Sequence, residues 1–485
     1  MFLLLAILIP MATGGLLPLW KFKKSAPRAA YVFSALALTL TAAVLGALDG
    51  RRFSILSLGS GVELALAPDG IALFFAAVFL AAWIAVSIYT LLYITHEGKE
   101  DRFFAFLLLT LGGMLGVAFS ENMVTLYLFF ETATLFSMPT VLHSQTKESV
   151  SAALKYLFYS VAGAFLGLIG VFAVYYYSPD RAFRWGGTVD PALLGDGKDV
   201  FLWIVFFAVV GFATKAGMFP MHNWLPTAHP VAPAPASALL SGLITKAGVI
   251  AVLRLVFFTV GPELLRGTWV QIAWIVLAMI TVLMGSMMAY HEKVLKKRLA
   301  YSTVSNLSYI LLGLFALSPE GIVGALLHVT AHATAKTCLF LAAGSIIFKT
   351  GKTRVDELRG IGREMPVTMW SFALASLSLI GIPPFAGFIS KWHLALAALD
   401  ALPPVLGVLV PVTLVLSALL TAGYLLPVVI AGFFPGSDYD LKTPKTEAKA
   451  IMTGPVLFFG LATLFAGIFA SPLTELFTSF IDRVF

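Results

Sequence analysis

The chain has 485 residues, 59% of them hydrophobic and 12% charged, with a formal net charge of +7 and a mean hydropathy of +0.93. Soluble domains carry about 25% charged residues, so a soluble core protein is excluded and an all-α polytopic membrane protein is predicted. A single cysteine, Cys338, excludes an internal disulfide and a cysteine-ligated cluster, and it reads as a small buried hydrophobe.

Apolar windows predict 14 spans, at 2–20, 28–48, 70–95, 103–119, 122–142, 151–178, 200–219, 232–256, 268–290, 299–317, 320–348, 366–392, 404–433 and 451–478. The first, FLLLAILIPMATGGLLPLW, has no basic residues before it and reads as a retained span rather than a cleaved signal peptide. The loops are short. No soluble domain is left to hold a flavin, nucleotide or iron–sulfur cluster, and no cofactor or metal is expected.

In a soluble protein the net charge of +7 would suggest nucleic acid. Here the loops carry it, and no nucleic-acid partner is expected. Of the 32 lysines and arginines, 19 fall in the loops around Lys21–Arg28, Lys99–Arg102, Lys147, Lys293–Arg298, Lys349–Arg363 and Lys442–Lys449. Eight fall on the other side: Arg51, Arg52, Arg181, Arg184, Lys198, Arg254, Arg266 and Arg483. This bias places the first group in the cytoplasm and both termini outside, in an inner or cell membrane of prokaryotic type. The remaining five, Lys155, Lys215, Lys246, Lys336 and Lys391, lie within spans. Each centrally placed charge costs about 2.5–3.5 kcal/mol to insert, so such a set calls for a function.

In chain order, Glu131 comes first, within TLYLFFETATLFSMP of span 5. A carboxylate at that depth needs a proton or a cation, and Lys215 in span 7 is the natural partner. A pair that can be made and broken switches the proton affinity of its lysine. Lys155, near the start of span 6, reads as a snorkelling lysine. The stretch from Gly211 holds Lys215 and Lys246 around Pro220, Pro226, Pro230, Pro233 and Pro235. No helix passes that proline density unbroken, so span 7 is interrupted near Pro220. His222 and His229 lie in this link as candidates for cytoplasmic proton access. Lys246, in SGLITKAGVI of span 8, has no acid near it in sequence.

Span 11 reads LLHVTAHATAKTCLFLAAG, with His328, His332 and Lys336 at i, i+4 and i+8. They form one polar stripe on an apolar helix, and imidazole can both donate and accept protons near neutral pH. A zinc site would need further ligands, and none is adjacent. Span 12 breaks at Gly381, Pro383, Pro384 and Gly387, just before Lys391. Freed carbonyls at membrane depth need protein or water partners, which predicts a hydrated site near Lys391, on the exit side.

TKAGMFPMHNW and IGIPPFAGFISKW are both proline-broken and each carries a lysine, five spans apart. An odd offset implies opposite orientation, hence two inverted five-helix repeats, spans 4–8 and 9–13. The chain then divides into N-terminal helices (1–102), a first repeat (103–256), a second repeat (268–433) and a C-terminal helix (451–485).

HNWLPTAHPVAPAPASALLSGLITKAG, with Glu131, Lys215, HATAKTCLF and GIPPFAGFISKW, resembles the antiporter-like subunits of respiratory complex I. Related to these are the Mrp cation/proton antiporters, membrane-bound hydrogenases and formate hydrogenlyases. The resemblance spans nearly the whole chain. It implies 14 helices, inverted repeats and a central polar axis. In it Glu131 matches the span-5 glutamate, Lys215 and Lys246 the span-7 and span-8 lysines, His332 and Lys336 the span-11 relay, and Lys391 the span-12 residue. It also implies a row of homologous antiporter-like and small membrane subunits, with lipid around them and a hydrogenase or other iron–sulfur module as a further candidate partner. Thr227 departs from the family, many members of which have an acid there, in LPDAH. That removes a cytoplasmic proton-access carboxylate. The absence of helices beyond span 14 points away from the complex I member with a long lateral helix and from the first Mrp subunit.

The expected function is therefore proton translocation, with or without sodium exchange, by a chain that has no redox or hydrolytic centre of its own. Two alternatives stay open: a structural anchor for a redox module, and a stand-alone transporter. The helix interiors offer titratable amines rather than varied substrate-binding groups, which disfavours the second.

Overall fold

The computed structural model describes residues 1–59, 61–436 and 445–481. Lys442 and Arg483, two of the loop charges, lie outside them. Among the described residues the helices are α1 (Phe2–Trp20), α2 (Ser25–Asp49), α3 (Gly70–Glu97), α4 (Glu100–Phe119), α5 (Met123–Val141), α6 (Lys147–Tyr177), α7 (Lys198–Ala213), α8 (Leu225–Val231), α9 (Ala234–Val260) and α10 (Trp269–His291). They continue with α11 (Leu295–Phe315), α12 (Pro319–Thr350), α13 (Pro366–Ile380), α14 (Ala386–Ala401), α15 (Pro404–Phe433), α16 (Ala450–Ile468) and α17 (Ala470–Ile481), with a few single turns between. Eleven of the described helices are long and apolar enough to cross a membrane. This is a multi-pass membrane protein, mostly helical.

The all-α expectation needs one correction. The loop after α2 folds into an antiparallel hairpin, β1 (Phe53–Gly59) with β2 (Val62–Leu66), pairing Phe53 with Leu66 and Ser57 with Glu63. The cause is local: VELAL alternates Val and Leu with Glu and Ala, the period of a strand, and FSILSL does the same on either side of the adjacent Ile55 and Leu56, where the pairing shifts register. Ala67 N–H donates to the Phe119 carbonyl at 2.8 Å, tying the hairpin to the end of α4.

Helix starts follow side-chain caps. Asp69 accepts from Ala72 N–H (2.8 Å), Asn122 from Thr125 N–H (2.9 Å), Thr146 from Ser149 N–H (3.2 Å) and Ser318 from Gly321 N–H (3.2 Å). The two interruptions fall where prolines predict them. Helix α7 stops at Ala213, six residues short of the predicted end, and residues up to Trp224 form turns through Gly217 (φ 73°). Helix α13 stops at Gly381 (φ 89°), and α14 resumes at Ala386.

Loops gather into two faces, each held by its own polar contacts. On the lysine-rich face Arg28 pairs with Glu100 and Asp101, Lys297 with Glu292 (2.8 Å), and Val294 bridges to Arg354. His143 joins two loops there, with a ring nitrogen 2.9 Å from the Gly98 carbonyl and its own carbonyl accepting from Arg102. Burial, outweighing the Gly98 bond, and the charges of Arg102 and Lys99 hold this imidazole down at about 4. On the opposite face Arg52 bridges Glu63 and Glu121, and Arg254 grips Asp69 through two bonds of 2.6 and 2.8 Å.

The spanning helices are unequally enclosed. The most apolar stretch of α9 is 100% buried and those of α4 and α12 are 83% buried, against 33% for α1 and α15. Lys246, His328, His332 and Lys336 therefore sit on helices wrapped by protein rather than facing lipid, where a charge would have no partner.

Candidate functional site

The first cluster forms where α7 breaks. Lys215, 1% exposed, projects from the turn after Ala213 and donates to the Thr134 hydroxyl on α5. Its ammonium lies 5.0 Å from the Phe130 ring centre and 5.4 Å from that of Tyr156, within cation–π range. Trp224 stacks on Tyr156 at 4.6 Å and bonds the Thr214 carbonyl at 2.9 Å, which fixes the turn. Glu131 makes no ion pair with Lys215 among the described residues, and its buried Oε1 has no hydrogen-bond partner. Thr134 is one turn further along the same helix face. The lysine thus bonds a hydroxyl one helical turn along α5 from Glu131 rather than the carboxylate itself.

The second cluster is the more continuous one. Residues Leu240–Ile244 form a π-helical turn within α9, a feature frequent at functional sites. Lys246 follows it and is fully buried. Its Nζ donates to the Ser241 carbonyl at 3.1 Å and sits 2.6 Å from Nδ1 of His332 on α12. The His332 and His328 rings are 6.4 Å apart. His328 Nδ1 lies 2.9 Å from the Ser390 hydroxyl on α14. Lys391 is the next residue, and its Nζ donates to the Leu379 and Ile380 carbonyls at 2.7 and 2.9 Å, the groups left free where α13 ends. Tyr309 of α11 bridges the two, with its ring 5.2 Å from His328 and 5.1 Å from the Lys391 ammonium. One Nε2 on each of His328 and His332 has no protein partner.

Lys336 lies off this line. It is fully buried, but its Nζ donates to the Leu299 carbonyl of α11 at 3.0 Å. That carbonyl also accepts from the Thr303 hydroxyl (2.9 Å), which in turn meets the Ser241 hydroxyl at 2.7 Å. The stripe His328, His332, Lys336 is real as a helix face, yet His328 faces Lys391 while Lys336 occupies a side branch.

In the proline-rich link, His229 is fully buried and stacks on Phe340 at 4.7 Å, with neither ring nitrogen bonded. His222 is half-buried beside Phe219, and its Nδ1 is also without a partner. Lys155 donates to the Thr227 hydroxyl at 3.1 Å, so it is tied to the link. Cys338 is fully buried, as the sequence suggests. No group of three or more His, Cys, Asp or Glu placed to hold a metal occurs among the described residues.

Thr134, Ser241, Thr303, Tyr309 and Ser390 complete these clusters without having been singled out in the sequence. Hydroxyl residues are common in membrane helices, and nothing in spacing separates these from others that bond their own backbone.

Residues 120–421 match the family described as "NADH:quinone oxidoreductase/Mrp antiporter, TM". The chain is 34% identical over 430 residues to NADH-quinone oxidoreductase subunit N of Desulforudis audaxviator, covering 84% of this chain and 82% of that one. It is 30% identical over 411 residues to a Na(+)/H(+) antiporter subunit of Alkalihalophilus pseudofirmus (81% and 80%) and 33% identical over 348 residues to hydrogenase-4 component B of Escherichia coli (68% and 50%). It therefore spans about half the length of the last relative. The fold is similar to a chain of the Mrp complex from Dietzia sp. DQ12-45-1b, with TM-score 0.84, 23% identity and coverage of 99% and 97%. It is also similar to a chain of respiratory complex I from Thermus thermophilus, with TM-score 0.79, 23% identity and full coverage of both. On the span of residues matched and the identity to these relatives, the chain belongs to the NADH:quinone oxidoreductase/Mrp antiporter transmembrane family.

Proposed function

We propose that this chain is a proton-translocating subunit of a multisubunit membrane assembly of the complex I-like or Mrp type. In this reading, protons pass laterally along Lys246, His332, His328 and Lys391, and Lys215 with Glu131 acts as the switch. The observation that carries it is the 2.6 Å contact between Lys246 Nζ and His332 Nδ1, made by two fully buried groups on different helices. A static structural pair would join opposite charges. An amine against an imidazole instead shares a proton between two bases, which is what a relay needs. The unbonded nitrogens of His328 and His332 point the same way, since buried polar atoms without protein partners are satisfied by water.

In the switch, Lys215 moves between Thr134 and Glu131. Near the carboxylate the charged lysine is favoured, and away from it the amine gives up its charge more readily. That change of charge acts on Lys246 through the shared low-dielectric interior.

This reading counts fourteen crossings. To the eleven apolar helices it adds the interrupted pair α7 and α8, the more polar α11, and the interrupted pair α13 and α14. Spans 4–8 and 9–13 are taken as inverted repeats, with helices 1–102, repeats 103–256 and 268–433, and a last segment 451–485. The lysine-rich face is assigned to the cytoplasm and both termini to the outside. Energy comes from partner subunits or a cation gradient, because the proposed path has no redox centre. Homologous antiporter-like subunits would lie beside this chain, as complex I-like and Mrp membership suggests.

The experiment is substitution of the switch. Lys215→Ala and Glu131→Ala are each expected to abolish coupled transport while leaving the assembly intact on native gels. Transport at the wild-type rate in both variants refutes the role.

A further inference from the structure

The relay needs a supply of protons, and residue 227 of α8 is a threonine. Lys155 donates to that threonine at 3.1 Å, so the site presents a cation to solvent rather than a proton-collecting carboxylate. A cavity of about 150 Å³ opens nearby on the lysine-rich face, between the end of α3, the α8–α9 link and the start of α11. Tyr93, Glu97, Pro230, Ala232, Lys296 and Thr353 line it. Glu97, the last residue of α3, is exposed at its mouth.

Lys296 forms the floor. By sequence it belongs to a run of loop charges, yet it is 6% exposed and donates to the carbonyls of Pro230 (3.2 Å) and Ala232. His229 is the residue before Pro230, fully buried with both ring nitrogens unbonded. Its ring stacks on Phe340, which lies one helical turn beyond Lys336 on α12. Lys336 in turn is joined to Lys246 through the Thr303 and Ser241 hydroxyls and the Leu299 carbonyl. An exposed carboxylate, a cavity with room for several waters and with Glu97, Lys296 and Thr353 in its otherwise apolar wall, an unbonded imidazole and a buried amine therefore follow one another from the surface to the relay.

We propose that protons reach the relay from the lysine-rich face through this cavity, collected by Glu97 and carried by His229 to Lys336. The Glu97 carboxylate takes a proton from bulk water and passes it through cavity water to a His229 ring nitrogen. His229 hands it to the neutral amine of Lys336. Lys296 holds the α8–α9 link in place beside His229 through its bonds to the Pro230 and Ala232 carbonyls. The inference depends on the proton-translocating reading, and Lys336 becomes the inward arm of the relay rather than a member of its main line.

The test uses the whole native assembly in sealed vesicles of either orientation. Val231 lines the cavity wall. Val231→Cys is made in a Cys338→Ala background and treated with a membrane-impermeant cationic methanethiosulfonate, each preparation compared with its own unlabelled rate. Labelling is expected only from the lysine-rich face, and it should stop most proton uptake. Glu97→Gln should slow uptake by about tenfold, the scale on which a charged collecting site raises encounter, with a larger effect at high pH, where protons are scarce. The inference is overturned if labelled Val231→Cys and Glu97→Gln both keep their reference rates, or if the label reacts only from the other face. Lys246→Ala separates this failure from that of the broader reading. Loss of transport in Lys246→Ala with no effect at the cavity sinks only the access route, whereas transport by Lys246→Ala sinks the relay itself.

Discussion

His332→Leu isolates the central contact. His332 is fully buried, and leucine fills most of its volume, so little cavity results. The substitution leaves Lys246 with the Ser241 carbonyl at 3.1 Å and removes the 2.6 Å bond. A hydrogen bond to a charged group is worth about 1.5–3 kcal/mol. If that bond lies on the transfer coordinate, its loss slows the step by roughly 10- to 150-fold. Loss of the imidazole also removes the titratable group that lies between Lys246 and His328, so the observed drop should lie at the upper end. The assay is proton uptake by the reconstituted assembly into proteoliposomes containing a trapped pH dye, with size-exclusion chromatography to verify assembly. His332→Gln serves as the companion variant. Its amide can still accept from Lys246, but it cannot carry a proton, so transport should remain lost although the bond is kept. Uptake within about twofold of wild type in either variant refutes the relay.

Three further outcomes follow from the geometry. Lys391→Met strips the Leu379 and Ile380 carbonyls of their donor, costs about 1–3 kcal/mol per orphaned group and should abolish uptake; unchanged thermal unfolding together with unchanged uptake contradicts this. Gly387→Ala would place a Cβ 1.7 Å from the Ser378 carbonyl oxygen, where the two halves of the broken helix meet, and should cost about 3 kcal/mol. Gly454→Ala on α16 meets nothing within 4 Å and is the neutral control in the same unfolding experiment. His143 titrates at about 4 in the folded chain against 6.5 ordinarily, so between those values the unfolded chain binds more protons. Its contribution to stability is full above about pH 6.5 and falls as pH drops toward 4, by about 2 kcal/mol once solvent screening is allowed for. His143→Gln should flatten that part of the stability–pH curve, and a curve of unchanged slope would show that the imidazole is not responsible.

The buried lysines were legible because an ammonium group in an apolar run stands out against the cost of placing it there. Proline density located both helix breaks, since a ring without an N–H cannot continue the ladder. What was not legible is which side chains meet. Lys215 reaches Thr134 rather than Glu131, and Lys336 reaches a backbone carbonyl rather than its stripe-mates, because long flexible side chains choose partners in three dimensions. Exposure is also not legible where charges cluster. Arg28, Lys296 and Arg298 belong by sequence to the loops and Arg254 to the opposite face, yet all four are at most 8% exposed. Charge bias bears on which side of the membrane a loop occupies, and it carries no information about burial. The hairpin escaped notice because it is short and lies in a loop that hydropathy treats only as a gap.

The most direct measurement is the number of protons moved per turnover of the native assembly when Lys246→Met replaces the amine with an apolar side chain of similar length. The driving reaction or counter-ion flux is expected to persist or slow while the protons translocated through this chain fall to none. An unchanged proton ratio, in an intact assembly, would mean that protons cross by some route other than the buried line from Lys246 to Lys391.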